Sequence, residues 1–283
     1  MKKEINLLHD TYQKTLDIVK SDDDCKAYAY EKIRHSLQVV GAGNYIFKHE
    51  VSFQNKPQDF VKCAKTAYIL HDIGRFREIE EIYYKSTGDN EYNLNKSPVD
   101  HGTLGAMILA EMPEYNDPRI ILPVRHHGHL IEEFYQDEDY LAIKDEDLKN
   151  DIKQILFLAM DADKIANFYM LKQEFDNHIK AWLPATDKEF IYGPINPIAI
   201  DCFKERVLYP RSEIKSNSDD LVATISWMFD INHQTSIDFC KRHNLVEAIM
   251  KIVARYNNQS DVQEELTSLV KQYLNEFKPK AFK

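Results

Sequence analysis

The dipeptide His71-Asp72 ends an apolar run, Ala67-Tyr68-Ile69-Leu70, and Gly74 and Arg75 follow shortly after it. An imidazole and a carboxylate in adjacent residues can ligate a single cation, or the carboxylate can bridge two cations. The pair alone is weak evidence, because His9-Asp10 occurs in the same chain with no apolar run before it. The chemistry of His71-Asp72 therefore depends on ligands from other parts of the chain.

Further ligand candidates are concentrated in the first half of the chain. Six of the histidines there are candidates: His35, His71, His101, His126, His127 and His129. Asp161 and Asp163 follow in a stretch that is apolar nearly all round, where a carboxylate is costly unless it is paired or binds a metal. This ligand set suffices for two divalent cations and suits Mn, Fe, Co, Ni or Zn, without selecting one of them.

The elements that carry these residues are predicted to be helices. Apolar residues recur at spacings of three and four along most of the chain and no strand pattern occurs, which predicts an all-α fold. His35 falls in a helix that begins at the acidic run Asp22-Asp23-Asp24. His71-Asp72 falls at the end of another helix, which Gly74 is expected to terminate.

Three further segments complete the first half. Pro98 is expected to open a helix with His101 in its first turn, and Asp117-Pro118 has the N-cap and N1 form of a helix that reaches His127. The acidic stretch from Glu132 to Asp151 is weakly periodic, which indicates an exposed loop or short helix able to overhang a site. A core helix is predicted from Asn150 to Lys172, and a polar loop from Ser86 to Ser97.

After Pro184 the sequence contains none of the ligand candidates named above. A turn or linker at Tyr192 to Pro197 precedes four more predicted helices: Ile198–Leu208, Leu221–Phe229, Ser236–Val253 and Val262–Phe277. We therefore predict one domain over residues 1–184 that contains the ligands. Residues 185–283 are predicted to be a helical C-terminal extension packed on the same globule.

Composition excludes several classes of protein. The chain has 283 residues, 43% of them hydrophobic, which is enough for a sizeable core. Its 46 acidic and 36 basic residues give a net charge of -10, which argues against a broad nucleic-acid surface. The four cysteines form no CxxC pair, and no segment has the length and apolarity of a membrane span. We expect a soluble cytoplasmic protein, and the sequence leaves open whether it forms a homo-oligomer.

The ligand candidates, in their order along the chain, resemble those of the HD superfamily of metal-dependent phosphohydrolases. The match covers roughly residues 28 to 170 and rests on His35 in Arg-His-Ser-Leu-Gln-Val, on His71-Asp72 in Leu-His-Asp-Ile-Gly-Arg-Phe, and on Asp163 in Met-Asp-Ala-Asp-Lys-Ile-Ala. The resemblance implies that these four residues bind one cation. His101 and His127 resemble the extra histidines of members that bind a second cation, with Asp72 as the bridge. It also favours Asp163 over Asp161, because the family ligand lies in an Ala-Asp-x-Leu/Ile pattern.

The resemblance implies hydrolysis of a phosphoester by a metal-activated water, with a nucleotide or another small phosphorylated molecule as the substrate. Arg75 is expected to bind phosphate, and His126 to bind metal or substrate and to act in catalysis. The Gly-Tyr-Pro signature of the members that cleave cyclic dinucleotides is missing after His126-His127, where the chain continues Gly-His-Leu-Ile-Glu. Two alternatives remain open, namely a regulatory protein that senses nucleotides and a di-iron oxygenase of the same superfamily.

Overall fold

The fold is known from a computed structural model that describes residues 1–86, 100–176 and 193–279. These ranges consist of α-helices joined by short turns and contain no β-strand, which confirms the predicted all-α class. The loop predicted after Ser86 and the predicted domain boundary at residues 184/185 lie outside the described residues. No helix within these ranges has the length and apolarity needed to cross a bilayer.

Contacts between residues divide the chain into two compact units, the first of which is Met1–Asp163. Its helices are α1 (Lys2–Ile18), α2 (Asp23–His49), α3 (Gln58–Leu70), α4 (Ile73–Ser86), α5 (His101–Ala110), α6 (Pro118–His126), α7 (Ile131–Tyr135), α8 (Glu138–Ala142) and the beginning of α9 (Glu146–Asp176). Fully buried aromatic and aliphatic side chains of α3 and α4 lie in its core, among them Phe60, Tyr68, Phe76 and Ile79. The core thus surrounds the junction at which His71 and Asp72 stand.

Aspartate side chains define where three of the ligand-bearing helices begin. Asp22 accepts a hydrogen bond from the Cys25 amide at the start of α2, and Asp100 accepts one from the Thr103 amide at the start of α5. Asp117 caps α6 through the Arg119 amide, with Pro118 in the first turn. These caps satisfy N–H groups that the first turn leaves unpaired. The cap of α5 fixes His101 as the first helical residue.

Gly74 does not terminate a helix, so that prediction was wrong. The helix α3 ends at Leu70, and Gly74 lies in the first turn of the next helix, α4. A Cβ atom on Gly74 would lie 2.0 Å from the carbonyl oxygen of His101, and one on Gly102 would lie 2.4 Å from that of Arg125. Glycine at these positions lets α4 and α6 approach α5 at backbone distance. That approach brings Asp72, His101 and His127 together.

The acidic stretch after His129 contains two short helices, α7 and α8. Phe134 of α7 is fully buried in a cluster with Leu122 of α6 and with Ile152, Leu156 and Met160 of α9. Leu130, Tyr135 and Leu141 of the same stretch are exposed. One buried aromatic anchor therefore fixes this segment beside the C-terminal end of α6.

The second unit begins at Lys164, within α9. It continues with α10 (Ile198–Glu205), α11 (Asn217–Ser226), α12 (Gln234–Arg242), α13 (Leu245–Tyr256) and α14 (Ser260–Glu276). The single helix predicted over Ser236–Val253 is two helices, because Asn244 between them adopts a left-handed conformation with φ 49°. Asparagine tolerates that conformation better than most residues, so it can end one helix and begin the next.

We expect Gly74→Ala to lower the free energy of unfolding by about 1–3 kcal/mol or more, because the new methyl group meets backbone atoms that no rotamer change can move. Gly41→Ala is the matched control, since Gly41 is a helical glycine with nothing within 4 Å of the position that a methyl group would take. That control should be neutral or should stabilise by about 0.5–1 kcal/mol. Urea unfolding of both variants measures the difference, and equal stability of the two would contradict the close approach of α4 to α5.

Candidate metal centre

A first group of ligands combines His35, His71, Asp72 and Asp163. His35 lies within α2, Asp163 lies within α9, and the dipeptide His71-Asp72 joins α3 to α4. The Nε2 atom of His35 lies 2.8 Å from Oδ1 of Asp163 and 3.9 Å from Oδ2 of Asp72. The Nε2 atom of His71 lies 3.8 Å from each of the same two oxygens. Four ligand atoms from three parts of the chain thus face one another.

A second group combines Asp72, His101 and His127, all at helix ends. The Nε2 atoms of His101 and His127 are 3.2 Å apart, and they lie 3.2 and 3.4 Å from Oδ1 of Asp72. Bonds of about 2.1 Å at tetrahedral or octahedral angles would separate neighbouring ligand atoms by about 3–3.5 Å. The nearly equilateral triangle therefore fits three ligands of one divalent cation.

Asp72 is shared between the two groups through different oxygens. Its Oδ2 faces His35 and His71, whereas its Oδ1 faces His101 and His127. The residue is 4% exposed, so water contributes little to the solvation of this charge. A carboxylate placed in this way has the geometry of a ligand that bridges two cations.

Backbone hydrogen bonds orient two of the imidazoles. The Nδ1–H of His71 donates to the Tyr68 carbonyl at 3.0 Å, and that of His127 donates to the Val124 carbonyl at 2.8 Å. Because a carbonyl oxygen only accepts, the proton must be on Nδ1, which leaves the Nε2 lone pair available to a metal. The Nε2 atom of His71 is buried and has no hydrogen-bond partner. A cation would satisfy this otherwise costly buried atom.

The protonation states suit metal binding. Burial lowers the pKa of His71 to about 4, and it also lowers the pKa of His101 well below the ordinary value. Burial alone would raise the pKa of Asp72, yet His71, His101 and Arg75 hold it well below its usual range. Near neutral pH these imidazoles are therefore uncharged and the carboxylate is ionised, which are the forms that ligate metals.

A cationic region adjoins Asp72. The Nη1 atom of Arg75 donates to Glu78 at 2.8 Å, and its Nε atom lies 3.6 Å from Oδ1 of Asp72. Lys32, one helical turn before His35, has a side chain only 12% exposed. Its Nζ atom lies 3.3 Å from Oε1 of Glu31. Burial lowers the pKa of Lys32, but Tyr28, Glu31 and Asp72 keep it above the ordinary value. Two positively charged side chains, each paired with a glutamate, are thus held in a partly buried region, and Arg75 adjoins the shared carboxylate.

His126 lies in neither group of ligands found among the described residues. Its Nε2 atom is instead 2.7 Å from Oδ2 of Asp137, which also accepts a hydrogen bond from Arg125 at 2.8 Å. Asp137 in addition caps α8 through the Tyr140 amide. The ring of His126 is therefore tied to the acidic segment, and its predicted roles in metal binding and catalysis stay predictions.

All six ligands of the two groups fall in a range of the chain that matches a known protein family. A family model described as HD domain matches residues 33–167. Residues 33–167 are therefore assigned to the HD-domain superfamily. The matched range includes His35, His71-Asp72 and Asp163, and the superfamily is one of metal-dependent phosphohydrolases. No curated protein and no solved structure gave a significant match.

Sequence reasoning placed His35, His71, Asp72, His101, His127 and Asp163 in one site, and the structure brings all six together. Arg75 adjoins them, while Asp161 is fully buried and belongs to neither group. Sequence reasoning missed Lys32 and the partner of His126, which is Asp137. Helical spacing could have found Lys32, because it lies three residues before His35 and hence on the same face of α2.

Adjacent histidines give a direct test of the ligand assignment. We expect His127→Ala to lose metal, because it removes one corner of the triangle, whereas His126→Ala should retain it because His126 contacts Asp137 instead. Metal content per chain, measured by mass spectrometry after dialysis against Mn²⁺ and then against buffer, distinguishes the two variants. Loss of metal in His126→Ala with full retention in His127→Ala would reverse the assignment.

Proposed function

We propose that this protein hydrolyses a phosphoester of a nucleotide or another small phosphorylated molecule with two divalent cations, one in each group of ligands. The observation that carries the proposal is the single buried carboxylate, Asp72, whose two oxygens face two different sets of histidines. Two cations a few ångströms apart form a site suited to a phosphoryl group. An HD domain over residues 33–167 supports this class of reaction.

When bound, the cations would activate a water molecule and neutralise charge on the phosphate oxygens. Asp72 would hold the two cation positions at a fixed separation because its own position is fixed by the junction of α3 and α4. His71 and His127 are already oriented by their backbone hydrogen bonds, so they need little rearrangement to ligate a metal. The chain therefore supplies a preorganised ligand set.

Arg75 and Lys32 support an anionic substrate. Their side chains are 26% and 12% exposed, and the Nε atom of Arg75 lies 3.6 Å from Oδ1 of Asp72. Asp72 and Arg75 both influence the pKa of Lys32, Asp72 by raising it and Arg75 by lowering it. Each has a carboxylate partner, Glu78 for Arg75 at 2.8 Å and Glu31 for Lys32 at 3.3 Å. A phosphate could join these contacts, because a guanidinium can hold two phosphate oxygens at once. We propose that they bind the phosphate group that is cleaved.

The proposed activity is tested by adding Mn²⁺, Co²⁺, Ni²⁺, Zn²⁺ or Fe²⁺ to the metal-free protein and assaying p-nitrophenyl phosphate, its diester and a panel of nucleotides. Asp72→Asn should lower turnover at least about a hundredfold, since it weakens a ligand of both cations. Asp10→Asn is the matched control, because Asp10 also follows a histidine but its side chain is 81% exposed. No product release by the wild-type protein with any of these metals would contradict the proposal, and iron-dependent oxygen uptake would favour the oxygenase.

The role of Lys32 has a separate kinetic test. We expect Lys32→Met to raise KM about tenfold or more with a smaller change in kcat, because a charge-assisted contact with phosphate contributes about 1.5–3 kcal/mol. Inorganic phosphate should also become a weaker competitive inhibitor. Lys26→Met is the control on the same helix, where the ammonium pairs with Asp23 at the surface. Equal KM values for the two variants would contradict a role for Lys32 in binding the phosphate group.

A further inference from the structure

A mostly buried ion pair begins immediately after the metal ligand Asp163. The Nζ atom of Lys164 lies 3.0 Å from Oδ2 of Asp230, and the two side chains are 10% and 16% exposed. Both residues lie in the second unit, of which Lys164 is the first residue. One partner of this charged pair therefore lies in α9, one residue from a ligand of the first group.

Asp230 belongs to a segment with a defined structure. It ends the short 3-10 turn Trp227–Asp230, and the hydroxyl of Tyr273 from α14 donates to the Met228 carbonyl of that turn at 3.0 Å. The side-chain amide of Asn232 donates to the Asp230 carbonyl at 3.2 Å. Asn232, His233 and Ser236 are all buried as well. The partner of Lys164 is therefore held from several sides within the second unit.

The neighbouring side chains Asp163 and Lys164 leave α9 about 100° apart around its axis, as consecutive residues of an α-helix do. Asp163 is directed to His35, and Lys164 is directed to Asp230. Two fixed contacts in different directions define the rotation of the helix about its axis better than either contact alone. A small rotation at this turn would move Oδ1 of Asp163 away from His35 and His71.

The ion pair of Lys164 and Asp230 is not expected to add much to the free energy of unfolding. Replacing a buried ion pair by apolar side chains of similar volume is often neutral or stabilising, because the cost of removing two charges from water offsets their attraction. Residues that hold metal ligands in place behave differently, since their loss typically weakens metal affinity by about 10–100-fold. The position of Lys164 beside Asp163 favours this second role.

We propose that Lys164 is a positioning residue for Asp163, and that its ion pair with Asp230 makes cation binding in the first group depend on the segment from Trp227 to Ser236. This inference rests on the metal centre of the proposed function. It assigns a role to Asp230 and the segment around it, which lie beyond residue 167, where the HD match ends.

The test measures Mn²⁺ affinity by calorimetry in a His101→Ala background, which removes a ligand of the second group. The variant Lys164→Met/Asp230→Leu replaces the pair with apolar side chains and should fold, yet its Mn²⁺ affinity should be about tenfold weaker. Lys164→Arg, which keeps the charge, should retain most of the affinity. The matched control is Lys204→Met/Glu265→Leu, because Lys204 and Glu265 form a 2.8 Å surface pair elsewhere in the second unit. Its affinity should equal that of the background protein.

Unchanged Mn²⁺ affinity in a folded Lys164→Met/Asp230→Leu variant would overturn the inference. If that variant does not fold, hydrogen exchange is measured instead in the His101→Ala background protein, in which the Lys164–Asp230 pair is intact. Because coupling is reciprocal, Mn²⁺ should slow the exchange of amides in residues 227–236 of that protein. Exchange rates in that segment that do not respond to Mn²⁺ would then overturn it. Neither measurement uses a substrate, so failure of this inference and failure of the proposed hydrolysis are distinguishable.

Discussion

The burial of the Asp72 carboxylate is the constraint on which the rest of the centre depends. An ionised carboxylate that is 4% exposed must receive its stabilisation from neighbours rather than from water. His101 and His127 approach one oxygen, and His35 and His71 lie near the other. Arrangements of this kind are expensive without a cation between the ligands, because neutral imidazoles solvate a carboxylate only partly. The surrounding helices therefore form the framework for a shared metal ligand.

Close backbone approach is what makes that framework geometrically feasible. The ends of three helices meet around Asp72, and side chains at Gly74 or Gly102 would push those ends apart by colliding with main-chain oxygens. The first group shares the junction of α3 and α4 through His71 and Asp72, but it takes His35 and Asp163 from the interior of the long helices α2 and α9. The end of one helix can shift without the ends of its neighbours, whereas a residue inside the 31-residue helix α9 is held by hydrogen bonds to the turns on both sides of it. We accordingly expect the second cation position to be the more sensitive one to local changes of sequence.

Much of this centre was predictable from sequence because its ligands are unusual in their surroundings. Asp161 and Asp163 stood out as carboxylates in an apolar helix, where an unpaired charge is costly. The choice of Asp163, and the assignment of His35 to the same cation as His71-Asp72, came from the resemblance to the HD superfamily. Partners that depend on tertiary contacts were not predictable, as the pairing of His126 with Asp137 and of Lys164 with Asp230 shows. Gly74 was misread because a glycine that ends a helix and one that permits close packing look alike in sequence.

Anomalous X-ray diffraction from crystals grown with Mn²⁺ tests the shared role of Asp72 most directly, since it locates metal ions independently of any activity. We predict two peaks a few ångströms apart on either side of the Asp72 carboxylate. One should be bounded by His35, His71 and Asp163, and the other by His101 and His127. Metal peaks only elsewhere in the molecule, with no density beside Asp72, would contradict a two-cation centre.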